Sequence, residues 1–174
     1  MFTQGTQNRT KFAIRMSAFA LAAMALLTAS SGVSANAQCK KVNGHYQEHF
    51  VFGAPCPDGA LCIAGEYQGG IQGDFFGILA SQTDTDVSEV KLFTSNSTLH
   101  ARIDGKEGDL IIKNAGAFQL GGDGHIVDLQ TIVGATGDFD GELSDATGVI
   151  RASGTFDFAA GMGESDYEGT ICLP

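Results

Sequence analysis

The sequence predicts an all-β domain closed into a single antiparallel barrel behind an N-terminal export signal. Three observations carry that prediction. Runs rich in β-branched and aromatic residues recur between glycine-containing turns, at the roughly 8- to 12-residue spacing of sandwiches and barrels. Past residue 37 no segment repeats its apolar residues with a helical period, and no proline lies between Pro57 and Pro174,. Finally, Glu66-Tyr67-Gln68-Gly69-Gly70-Ile71 is echoed by Asp166-Tyr167-Glu168-Gly169-Thr170-Ile171. Reuse of a small residue set by short strands accounts for part of this echo. Early and terminal strands lying side by side would account for it too, and would remove the exposed edges of the sheet.

Residues 1–37 read as a secretory signal peptide. Arg9, Lys11 and Arg15 precede the apolar block Phe19 to Leu27, and small residues lead to Ala35-Asn36-Ala37, the three-part pattern of a cleaved leader. The block is shorter than the roughly 20 apolar residues of a spanning helix. Gln38 before Cys39 is not the small residue of a lipidation site, so cleavage after Ala37 is expected. No further apolar span follows. The domain is then 38–174, 137 residues, enough for one β-barrel domain with a sizeable core.

Along the domain, His45 to Phe52 reads as a first strand. Gly53 to Gly59 is a loop with two prolines. Ile63 to Leu79 forms one long strand or two, interrupted by glycines that suit a small, sharply curved sheet. Ser81 to Asp86 reads as a polar turn, and Ser88 to Ile103 as two strands split at Ser95-Asn96-Ser97. Asp104 to Asp109 reads as a charged turn, followed by short strands at Leu110 to Lys113 and Ala117 to Leu120. Gly121-Gly122-Asp123-Gly124 is a turn. From His125 to Val133, alternation places Val127, Leu129, Thr131 and Val133 on one face and Ile126, Asp128, Gln130 and Ile132 on the other. Tyr167 to Leu173 is the last strand.

Between these lies Thr131 to Phe158, T-I-V-G-A-T-G-D-F-D-G-E-L-S-D-A-T-G-V-I-R-A-S-G-T-F-D-F, two strand-like runs joined by a glycine-shaped connection. Its V-G-A-T-G-D-F-D-G…A-T-G-V wording resembles the V-x-G-G-T-G-x-F-x-G-A-x-G signature of allene oxide cyclases, dirigent proteins and bacterial relatives. Ala135 replaces the second glycine, and Glu142-Leu143-Ser144-Asp145 is inserted before Ala146. The match covers about twenty residues. The resemblance implies an antiparallel eight-stranded β-barrel. In the enzymes of that superfamily it also implies an apolar substrate held in the lumen, where a few polar groups steer ring closure by confinement.

Charge narrows the partners. With the leader's three basic residues removed, seven Lys and Arg face twenty Asp and Glu, a net charge of −13. Such an acidic protein is not a nucleic-acid or anionic-membrane binder. All four cysteines lie past the leader, and an even count in an exported chain reads as two disulfides. Three pairings are possible. The preferred one closes the Pro57-Asp58-Gly59 turn with Cys56–Cys62 and fastens the ends with Cys39–Cys172. The cysteine spacing does not suit a zinc site.

Chemistry-bearing constellations are sparse. His45 and His49 stand about 13 Å apart if on a strand, too far to share a ligand, and His100 and His125 have no sequence-local partner. Asp138, Asp140, Glu142 and Asp145 carry oxygen ligands but not the EF-hand pattern, and read as acidic turn residues. No hydrolase or phosphate-loop motif is present. No metal and no cofactor are expected. A lumen pocket remains, with Tyr67, Asp74, Asp128 and Arg151 as its polar candidates on strand-like segments. The favoured reading is an exported barrel, periplasmic or extracellular in a bacterium, binding a small apolar ligand or a partner without strong catalysis. A cyclase- or dirigent-like enzyme and a structural or surface-interaction protein, with homo-oligomers admitted, are the alternatives.

Overall fold

The chain folds into a closed barrel of eight antiparallel strands, with no helix among the described residues, in a computed structural model that describes residues 38–134 and 141–174. The strands are β1 (Gln38–Val51), β2 (Cys62–Gly69), β3 (Gln72–Asp84), β4 (Val90–Ile103), β5 (Lys106–Gln119), β6 (His125–Ile132), β7 (Thr147–Asp157) and β8 (Met162–Leu173). Each pairs with the next, and β8 returns to β1 through the register Gln38↔Leu173 to His49↔Met162. Closure leaves no edge strand. Cys39 and Cys172 face each other in that last ladder and are joined, while Cys56–Cys62 pins the β1–β2 loop. The two echoed segments do not pair with one another: β2 and β8 flank β1 on either side, so one strand separates them.

Several strands run longer than the sequence suggests. Ile63 to Leu79 is two strands, turned at Gly70-Ile71. The Tyr167 hydroxyl secures this hairpin, accepting from the Ile71 backbone N–H at 2.8 Å. β3 continues through the expected turn at Ser81 as far as Asp84, after a register shift between Leu79 and Ser81. β4 does not break at Ser95-Asn96-Ser97, because both serines point inward and are held by the Asn114 side-chain amide at 2.9 and 3.0 Å. The charged stretch Asp104 to Asp109 turns only at Asp104-Gly105. Of its remaining charges, Glu107 and Asp109 pair outward across β4 and β5, Arg102 Nε to Glu107 at 2.6 Å and His100 to Asp109 at 2.8 Å, while Lys106 donates to the Pro174 carbonyl at 2.6 Å. β5 then joins the two short strands expected at 110–113 and 117–120 into one.

Alternation decides what faces in. The inward positions carry the core, including Ile71, Leu99, Ile103, Leu110, Ile150 and Ile171, all fully buried. Outward positions are polar over much of the wall: Lys41, Asn43, His45, Gln47 and His49 on β1, Glu66 and Gln68 on β2, Glu164, Asp166 and Glu168 on β8, all exposed. On β6 the inward set is Ile126, Asp128, Gln130 and Ile132, and the more apolar alternate set faces outward.

Inward glycines make room for rings on neighbouring walls. A methyl group on Gly65 would stand 2.6 Å from the Phe75 ring and would also strike the Gln47 carbonyl. One on Gly116 would lie 2.7 Å from the Phe93 ring. Pairing a small residue with a large one is how a narrow barrel fills its taper. Gly65→Ala is therefore expected to cost about 1–3 kcal/mol, the usual cost of overpacking, measured as a lowered urea midpoint with an unchanged slope.

Candidate functional site

The interior has three zones along the barrel axis. Near the Cys39–Cys172 end, aliphatic side chains pack solidly, and the segment from Gly141 closes over them with Leu143 and Ala146 buried. Gly141 bridges Gly108, and the Glu142 N–H bonds the Glu107 carbonyl at 2.9 Å. The Glu142–Asp145 segment thus serves as a cap. At the opposite end the lumen opens. Phe50, Phe93, Phe118, Phe156 and Phe158 ring the mouth with Leu61 beside them. Successive rings touch, with centroids 4.8 Å apart for Phe50–Phe156, 4.9 Å for Phe156–Phe158 and 5.1 Å for Phe118–Phe158. The cavity there is about 70 Å³.

Beneath the mouth lies a polar belt around a second space of about 40 Å³, sharing Glu48, Ile63, Phe93, Ser95 and Ile126 with the first. Glu48 on β1 and Asp128 on β6 both line it, as do Tyr46, Tyr67, Asn114 and Gln130. The Tyr67 hydroxyl donates to Gln130 Oε1 at 2.7 Å, and Gln130 Nε2 donates to Asp128 Oδ2 at 3.1 Å. This chain fixes the amide and leaves Asp128 Oδ1 without a partner. Glu48 Oε1 and Asn114 Oδ1 are likewise unpartnered, and Glu48 is only 5% exposed. Buried acceptors normally find donors. Among the described residues no Lys, Arg or His lines either space.

The electrostatics follow from this. Burial, reinforced by the Asp128 charge, raises the Glu48 carboxyl from its ordinary value to about 7. Burial raises Asp128 to about 6, against opposing hydrogen bonds from the Gln130 amide and from the Leu129 and Ala115 backbone. Tyr46 and Tyr67 are pushed well above the ordinary phenol value, chiefly by burial, so both remain neutral donors. A buried carboxyl favours its protonated form when no cation compensates it. Around neutral pH the belt therefore holds two carboxyls close to their titration points.

Of the four polar residues expected at a pocket, Tyr67 and Asp128 meet in the belt. Asp74 and Arg151 stand on the outer wall, exposed, Arg151 opposite Leu129 in the β6–β7 ladder. Glu48, Tyr46, Asn114 and Gln130 complete the belt without having been singled out by sequence. Alternation along His45 to Phe52, which separates Tyr46, Glu48 and Phe50 from their neighbours, is the signal that finds Glu48. His45 and His49 are exposed on β1. Among the described residues no three His, Cys, Asp or Glu side chains converge as a metal site. Asp138 and Asp140 lie outside the described residues, as do residues 1–37, expected to be a leader, and the 135–140 part of the glycine-rich motif.

No protein-family model matches the chain. No curated protein matches it either. Among solved structures, Ail, the attachment invasion locus protein of Yersinia pestis in complex with the heparin analogue sucrose octasulfate, aligns over 79% of this chain and 97% of its own. The identity is 12% and the TM-score 0.15, a likeness too slight to carry an argument.

Proposed function

We propose that this protein is an exported, disulfide-stapled barrel of the allene oxide cyclase and dirigent-like kind that binds a small, largely apolar molecule in its lumen. The observation that carries this reading is the asymmetry of the interior. One end is packed solid, whereas the other opens through a ring of phenylalanines onto a polar floor, the usual composition of a small-molecule pocket. The two disulfides fit an oxidising compartment, periplasmic or extracellular. The outer wall is charged on β1, β2 and β8, where a lipid-embedded barrel would present an apolar band, although Leu92, Val127, Leu129 and Val149 stand exposed on β4, β6 and β7. The charged part favours a barrel surrounded by water. The glycine-rich motif supports the superfamily assignment.

The test is methyl-resolved NMR with ethylbenzene as the probe. Shifts are expected at Leu61, Ile63, Leu79 and Ile126, with none at Ile103, Leu110 or Ile171. Ile126→Phe, which fills the mouth, should abolish them. Absence of any lumen shift in the wild-type protein at millimolar probe would sink the reading.

A second reading, a cyclase- or dirigent-like enzyme, is favoured by one observation: a carboxyl held near pH 7 at the floor of an apolar pocket is suited to general acid–base work. It requires that Glu48→Gln abolish turnover while leaving apolar probes bound.

A further inference from the structure

Resting on the lumen as a binding site, the geometry points to a ligand class: a primary amine on a short aromatic or branched aliphatic body, its ammonium seated between Glu48 and Asp128. Of the four unpartnered buried atoms among the described residues, three are acceptors of the belt, Glu48 Oε1, Asp128 Oδ1 and Asn114 Oδ1, and the fourth is the Ser165 hydroxyl. Among the described residues no Lys, Arg or His lines either space to supply a donor. A ligand carrying its own acceptor would leave these atoms unsatisfied, at a penalty for each. An ammonium brings three donors and the positive charge that two neighbouring carboxyls lack.

The rest of the cavity agrees. Tyr46 and Tyr67, with ring centroids 4.8 Å apart, line the same belt and offer aromatic faces to a cation. Above it, Phe50, Phe93, Phe118, Phe156 and Phe158 surround the space an apolar body would fill. A cavity of about 150 Å³ holds one benzene, so spaces of about 70 and 40 Å³ admit on the order of four or five non-hydrogen atoms. They take the ethylammonium end of a ligand such as phenethylamine, with its ring among the phenylalanines of the open mouth. Long acyl chains do not fit without rearrangement of the phenylalanines.

The experiment compares 2-phenylethylamine, 2-phenylethanol and ethylbenzene by calorimetry on the purified protein at about pH 8. The amine is expected to bind at least about tenfold tighter than the alcohol. Glu48→Gln should weaken the amine at least about tenfold and leave ethylbenzene nearly unchanged. Lowering the pH to about 5 should weaken the amine in the wild-type protein, because protonated carboxyls no longer attract it. This pH series, with Asp128→Asn as a second variant, keeps the test valid should Glu48→Gln fold poorly. Alcohol and hydrocarbon binding as tightly as the amine would overturn the ligand class and leave the lumen site standing. Amine affinity that survives both variants and the pH change would overturn it as well. Binding of none of the three would remove the lumen reading itself.

Discussion

Serine at both Cys39 and Cys172 is expected to lower the stability of the barrel by about 5 kcal/mol, read from urea denaturation under non-reducing conditions. The bond joins residues 133 apart in sequence, and the chain-entropy model assigns a loop of that length about 5 kcal/mol at room temperature. It acts at the step that makes the barrel a barrel. β1 and β8 are the chain's first and last strands, and their ladder must form across nearly the whole domain. Long-range pairing of this kind bears the largest loop-closure cost. The Cys56–Cys62 bond closes a separation of only 6, for which the same model gives about 2 kcal/mol, so serine at those two positions should be the milder change. Its effect belongs elsewhere, on the loop that carries Leu61 to the mouth. Equal losses from the two pairs, or a loss below about 1 kcal/mol for the first, would show that the terminal ladder holds without its staple.

The turn at Gly121–Gly124 was legible from glycine alone, whereas the two disulfides and closure by the chain ends, which depend on long-range pairing, were legible through the cysteine count and the strand-forming texture of the whole domain. What misled is local: on parts of β4 and β6 polar side chains face the lumen, and on β6 the more apolar set faces out. Ser95-Asn96-Ser97 reads as a break because serine and asparagine favour turns. Here the two serines line the lumen, and Asn96 receives the Lys113 ammonium at 2.6 Å on the outer wall. Asp104 to Asp109 reads as a turn because its charges are dense, yet cross-strand partners on β4 make those charges compatible with a strand. On β6 the set Val127, Leu129, Thr131 and Val133 is the more apolar, and hydropathy alone would turn it inward. Gln130 overrules it, because Tyr67 holds its amide inside, and Asp128 turns in with it, accepting from Gln130 while Oδ1 stays unpartnered. Which alternate set faces the lumen is fixed by partners on other strands. Glu48 and Asp128 come together only once β1 and β6 stand in one closed ring, and no spacing along the chain announces that.

Glu48→Gln is expected to raise stability at about pH 8 by about 3 kcal/mol, and to leave it nearly unchanged at about pH 4. The folded-state carboxyl titrates at about 7, against an ordinary 4.5, and at about 1.4 kcal/mol per pH unit this displacement is worth about 3 kcal/mol. Below the ordinary value both folded and unfolded chains carry the proton, so no difference arises. Between 4.5 and about 7 the unfolded chain ionises first, folding takes up a proton, and stability falls as pH rises. Above about 7 the full cost of a buried anion is present. Asp128, displaced in the same direction to about 6, adds a further decline that the variant retains. Wild-type protein should therefore lose on the order of 10 °C of melting temperature between about pH 4 and pH 8 relative to Glu48→Gln, and parallel profiles for the two proteins would sink the argument. The glutamine has the added advantage of presenting an N–H pair to a belt whose free atoms are acceptors. A ligand ammonium would act on the same quantity from the other side: bound at about pH 8, it offsets the cost of the ionised carboxyls and stabilises the wild-type barrel more than the variant. The instability of the empty lumen at neutral pH and its preference for a cationic guest are then two measurements of one buried charge.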